Sequence, residues 1–182
     1  ANIWAFKMLE ARIIAGTTIC GVTDSQIELG RLLLFDDLFF PDNRLPDGNA
    51  CTFYTKPGAP ERGHYIFDSP FHQATLERLS IRGAVRNVTY GHVNGPRFNS
   101  KAEIAYYRRY CDALSQTAGP EAVPAGEAEI PYLLFGFGVD YANGVRETPT
   151  PVEVLNENME RSRTVFRGAL DSLIRYYQPP EF

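Results

Sequence analysis

Tyr132-Leu133-Leu134-Phe135-Gly136-Phe137-Gly138-Val139-Asp140 carries the reading of the fold. In an extended chain Phe135, Phe137 and Val139 share one face, and Gly136 and Gly138 share the other. Side chains alternate at period two along a strand, and a glycine within one leaves space for another backbone or ring. The stretch predicts a core strand over 131–141. Gly136-Phe137-Gly138 lacks the third glycine of a dinucleotide fingerprint, so its glycines are read as packing devices.

Downstream, Thr150-Pro151-Val152-Glu153 combines an N-cap Thr, a Pro at the first helical position and a Glu in the first turn. It predicts a helix running to about Tyr177 and ended by Pro179. Leu155, Met159, Phe166, Leu170, Leu173 and Tyr177 make an almost coiled-coil-like stripe on it. Such a helix would extend roughly 40 Å.

Upstream, the Pro, Gly and Glu content of 117–131 predicts a loop. Ser100-Lys101-Ala102-Glu103 is a capping box opening a helix over Ile104 to Leu114. From Arg78 to Arg86, Leu79, Ile81 and Val85 alternate with Arg78, Ser80, Arg82, Ala84 and Arg86, which predicts a strand within 77–88. Shorter strands are expected near 51–55 and 64–68, inside or just after an arm at 41–63 punctuated by Pro and Gly. Thr23 to Gln26 reads as a second capping box ahead of a buried helix from Ile27 to Phe39, and Gly16 as the end of a helix over residues 3–14. The expected fold is α+β. A single domain over 1–182 places a small antiparallel or mixed sheet against three to four helices, with 41–63 and 117–131 as extended loops.

Composition supports a folded chain. Of 182 residues 44% are hydrophobic and 13% aromatic, far from the profile of a disordered segment. The net charge of −4 disfavours a dedicated nucleic-acid binder. All but Lys7, Lys56 and Lys101 of the eighteen basic residues are Arg. Cys20, Cys51 and Cys111 are widely spaced and form no C-x-x-C pair, which argues against a zinc ribbon or a disulfide framework. No apolar run is long enough to span a bilayer, and no signal peptide is read, so a soluble intracellular or virion setting is expected.

Phosphate loops, zinc-protease helices and nucleophile elbows are missing from the chain. Two chemical constellations can be written. His64, Asp68, His72 and His92 are residue types that hold zinc or non-haem iron, because neutral imidazole and carboxylate suit borderline metals. A Cys51, His64 and Asp68 triad ranks below it for want of an oxyanion context. Separately, Arg78, Arg82 and Arg86 would line one strand face, with Arg108 and Arg109 nearby. Segment 78–109 is basic apart from Glu103, and 121–160 is acidic apart from Arg146. Charge segregated in this way fits electrostatic docking between subunits.

The reading that follows is a non-catalytic structural or interaction subunit of a symmetric assembly, most concretely a virion component such as a phage tail or connector ring protein. Its partners would be copies of itself or other structural subunits, with no cofactor and no membrane. A metal-dependent enzyme or small-ligand binder built on the His/Asp set is the alternative. An accessory subunit of an enzyme complex is the second.

Overall fold

The computed structural model describes residues 2–56, 58 and 66–178. Five strands close on one another: β1 (Ile14–Val22), β2 (Leu32–Phe39), β3 (Val85–His92), β4 (Ala113–Ser115) and β5 (Tyr132–Tyr141). They form a barrel in the order β1-β4-β3-β2-β5. Pairing is mixed. β1 runs parallel to β5, β2 to β3 and β3 to β4, whereas β1–β4 and β2–β5 are antiparallel. Around the barrel lie α1 (Asn2–Met8), α2 (Gln73–Arg78), α3 (Lys101–Tyr107), α4 (Gly119–Glu127) and the long α5 (Val152–Tyr177). Among the described residues no helix is long and apolar enough to cross a membrane.

β5 is the strand the sequence predicts, and it is central. It pairs with β1 on one side and β2 on the other, and its residues from Tyr132 to Val139 are all buried. Gly136 is where the ring of Phe35 comes close: a Cβ there would collide with that ring and sit 3.2 Å from Cys20 Sγ. Phe35 in turn packs edge-on against Tyr90 at 5.2 Å and near Phe71 at 6.4 Å. Each such fully buried aromatic contributes about 1.5–3 kcal/mol of hydrophobic stabilisation.

Several expectations are corrected. The buried helix over 27–39 is instead a turn followed by β2, since Leu32, Leu33, Leu34 and Phe35 are all buried. A strand covered on both faces reads as a continuous apolar run, which periodicity cannot distinguish from a buried helix. Gly16 ends no helix; it lies within β1, where it makes room for the Tyr132 side chain. Thr23 caps nothing and donates its hydroxyl to Cys111 O, while Asp24 Oδ1 accepts from Gln26 N. Segment 117–131 holds α4, entered through Pro120, rather than a loop. The 77–88 strand divides into the end of α2, a turn at 82–83 and the start of β3. No strand forms at 51–56 or 66–68, and residues 64 and 65 of the expected 64–68 strand lie outside the described residues.

The Ser100 capping box forms in both directions, but α3 stops at Tyr107 and the chain turns into β4. For α5 the extent is as expected and the cap is not. Thr150 Oγ1 accepts from Tyr141 N, so Thr150 ties the helix entry to β5. The buried side of α5 is partly polar: Asn158 and Ser162 are buried with Ala169 and Leu173, whereas Met159 is exposed. Asn158 Nδ2 donates to Val139 O at 3.0 Å, anchoring the helix on β5. The α+β expectation holds in coarse form, and the small antiparallel or mixed sheet is a mixed one closed into a barrel.

Candidate active site

Four hydroxyls converge from three parts of the barrel. Thr18 lies in the middle of β1, Tyr90 near the end of β3, Ser115 at the end of β4 and Thr117 two residues beyond. Thr18 Oγ1 is 2.7 Å from Ser115 Oγ and 2.8 Å from Thr117 Oγ1, and the last two are 3.2 Å apart. Tyr90 Oη joins at 2.6 Å from Ser115 Oγ and accepts from Ala118 N at 3.1 Å. Burial foremost, helped by the nearby Cys20 thiol, pushes the Tyr90 phenol up to about 12, so it stays protonated. A hydroxyl carries one donor and two acceptor lone pairs and can rotate its hydrogen. Three of them in a triangle satisfy one another when alone and can turn their hydrogens onto an oxyanion.

The first turn of α4 abuts this triangle. Its N–H groups are already engaged: Ala118 N donates to Tyr90, Gly119 N to His92 Nδ1, and Glu121 N and Ala122 N to Ala118 O, while Pro120 has none. Any donors for an anion at this place are therefore the hydroxyls, with the positive end of the helix dipole adding a favourable field. Loop 93–100 is latched alongside. Gln116 Nε2 donates to Arg97 O, and Arg97 makes a two-pronged pair with Glu103, itself the partner of Ser100 N. The Arg97 hydrogen bond, more than any other contact, pulls the Glu103 carboxyl down to about 2.

Asp140 lies four residues beyond Gly136, the β5 partner of Thr18, on the same strand. Burial raises its carboxyl to about 6, with only a contact to its own backbone opposing the shift. Among the described residues no cation pairs with it. Near neutral pH such a carboxyl can hold or release a proton, as acid–base chemistry requires.

Of the residues singled out from sequence, His92 adjoins the first turn of α4, and the other described ones fall elsewhere. The arginine face is not one face: Arg78 ends α2 and donates to Tyr176 Oη, Arg82 lies in the turn, and Arg86 is on β3. Arg86 donates to Leu76 O and Leu79 O, clamping the end of α2 onto the barrel. Arg108 and Arg109 follow α3 and are exposed. His64 lies outside the described residues. His72 Nδ1 pairs with Thr75 Oγ1 at 2.8 Å, Asp68 is exposed, and His92 is buried on β3. Among the described residues no three His, Cys, Asp or Glu side chains are placed to hold a metal ion. Burial first, then Glu127, drives the Cys51 thiol up to about 11, far from the thiolate a Cys nucleophile needs.

Residues 1–175 match the phosphorylase superfamily. A probable 6-oxopurine nucleoside phosphorylase of Dictyoglomus turgidum is 29% identical over 95% of this chain and 68% of its own length. An S-methyl-5′-thioadenosine phosphorylase of Mycobacterium tuberculosis is 27% identical over 94% of the chain and 64% of its own. Methylthioadenosine phosphorylase from Schistosoma mansoni in complex with adenine superposes with a TM-score of 0.81 at 22% identity, covering 98% of this chain and 71% of that one. That likeness is one of fold. The family match and the curated relatives are to enzymes, and they overturn the expectation of a non-catalytic virion or phage-tail subunit. That expectation took the absence of familiar motifs for the absence of chemistry.

Proposed function

The chain belongs to the phosphorylase superfamily, and on that footing we propose that it carries the phosphate and base sites of a purine-nucleoside phosphorylase. The substrate class is that named for its relatives, 6-oxopurine nucleosides or 5′-methylthio-nucleosides. The chain spans about two thirds of the length of those relatives, 68% for the first and 63–64% for others.

The observation that carries this reading is the hydroxyl triangle of Thr18, Ser115 and Thr117. Phosphorolysis has a phosphate oxygen form a bond to C1′ of the sugar while the bond from C1′ to the purine nitrogen breaks. The electron pair of that bond leaves with the base, which must take up a proton. Neutral hydroxyl donors suit the nucleophile, because they orient phosphate without quenching its charge as a tight cation would. Asp140 is the candidate for the base: protonated, it donates to a leaving purine; ionised, it accepts from an amino group on the ring. Its pKa near 6 makes both forms accessible.

The test is phosphate-dependent cleavage of inosine, guanosine, adenosine and 5′-methylthioadenosine by the full chain, followed as sugar 1-phosphate. Thr18→Val and Thr117→Val each remove one charge-assisted hydrogen bond worth about 1.5–3 kcal/mol. Each should therefore raise KM for phosphate by roughly ten- to a hundredfold while leaving KM for the nucleoside near its starting value. Cleavage that proceeds equally well without phosphate would refute the proposal.

A further inference from the structure

His92 is a buried histidine that the hydroxyl network does not include. It is 3% exposed, and its Nδ1 accepts from Gly119 N at 3.4 Å. The Phe40 ring meets the imidazole edge-on, 4.5 Å away at 73°. Gly119 makes this packing possible, since a Cβ there would lie 2.5 Å from His92 Cγ and 2.9 Å from Phe40 Cδ1. Because Nδ1 accepts, the ring proton resides on Nε2, which meets no hydrogen-bond partner of good geometry among the described residues.

Tyr90 and His92 are alternate residues of β3, and they take consecutive N–H groups at the start of α4: Tyr90 that of Ala118, His92 that of Gly119. Thr117, which supplies one hydroxyl of the triangle, is joined directly to this pair in the chain. We propose that His92 is a positioning residue for phosphate: by accepting from Gly119 N it fixes residues 117–119 and so aims the Thr117 hydroxyl at the bound anion. This role rests on reading the hydroxyl triangle as the phosphate site.

The imidazole is suited to it. An imidazolium would lose its acceptor and place a positive charge at the positive end of α4. Burial, the largest influence, lowers the His92 pKa to about 4, against the smaller opposite pulls of the Asn94 side chain and the Asp42 carboxylate. At neutral pH the cap is in its accepting form.

The experiment compares His92→Asn with His92→Leu in the full chain. Asn carries its Oδ1 on Cγ, where His carries Nδ1, so it can accept from Gly119 N; Leu fills space without an acceptor. Losing one neutral hydrogen bond predicts a rise in KM for phosphate of roughly tenfold in His92→Leu. The nucleoside KM, and kcat at saturating phosphate, should stay near wild type, and His92→Asn should restore the phosphate KM. His92→Met, more flexible in the same volume, replaces Leu if that variant does not fold. Exchange of the Gly119 amide, read by NMR, should be slow in wild type and His92→Asn and fast without the acceptor. An unchanged phosphate KM in the acceptor-less variant, a fall confined to kcat, or equally slow exchange in all forms overturns the proposal. If wild type shows no phosphate-dependent cleavage, the phosphate-site reading has failed, and the positioning role with it. Gly119 exchange then still shows whether the cap itself exists.

Discussion

Asp140 and His92 are both buried and titratable, and they act on stability in opposite directions. Folding raises Asp140 from 3.8 to about 6, so the native protein holds a proton that the unfolded chain releases. Its contribution favours the fold below pH 3.8 and is lost as pH rises through 6. Folding lowers His92 from 6.5 to about 4, so the unfolded chain takes up a proton that the native ring refuses. That contribution is present above pH 6.5 and is lost as pH falls through 4. Between about pH 4 and 6 the two slopes oppose each other. In Asp140→Asn the opposing slope is removed, so unfolding free energy from urea titrations should climb, relative to wild type, as pH rises from about 4 to 6. The difference should amount to about 2–3 kcal/mol, because a tenfold change in proton affinity is worth about 1.4 kcal/mol. A constant offset between the two profiles would refute it. His92 was singled out from sequence only as a metal ligand, and neither buried titration was legible from spacing. Asp140 stood at the end of a correctly read strand with nothing to mark it. Thr18, Ser115 and Thr117 are residue types too common to signal a site until folding brings positions about a hundred residues apart within 2.8 Å.

Among the elements, those legible in the sequence were those with local signals. β5 announced itself by alternation, α3 by a capping box that forms in full, and α5 by its extent, although its Thr cap does not form and Met159 and Tyr177 of the expected stripe are exposed. β2 and α4 did not, because the first is apolar on both faces and the second is rich in Pro and Gly, and in each tertiary context overrides propensity. Segment 78–86 misled for a related reason. Its alternation was real, but Leu79 and Arg86 face each other across a turn, where the guanidinium binds the Leu79 carbonyl. The packing role read into Gly136 gives a test at this scale. Gly136→Ala places a methyl into the Phe35 ring where β5 pairs with β2. Overpacking of this kind costs about 1–3 kcal/mol. Thermal unfolding should register that loss, and Phe35→Leu added to Gly136→Ala should cost less than the two single changes summed. Strict additivity would show that the ring and the glycine do not share the space.

Closing the barrel is what makes a site at all. Thr18 on β1, Tyr90 and His92 on β3, Ser115 on β4 and the start of α4 become neighbours only because β4 pairs with both β1 and β3. Charge counted along the chain could not reveal this, and the basic and acidic segments that pointed to subunit docking ran through separate helices, turns and strands of one fold. The same closure links ligand to stability. A ligand that binds only the folded form stabilises it by RT ln(1 + [L]/Kd), about 2.7 kcal/mol at 100 times Kd. Inorganic phosphate should therefore raise the unfolding temperature of the full chain in a concentration-dependent way. The increment should shrink in Thr18→Val and Thr117→Val and persist in Asp140→Asn, whose side chain is assigned to the base. Sulfate at equal ionic strength separates recognition of a tetrahedral oxyanion from general salt effects: it should mimic phosphate at the triangle, whereas chloride should not. An increment of equal size with chloride, or one untouched by both threonine substitutions, would place the anion elsewhere and remove the hydroxyl triangle from the mechanism.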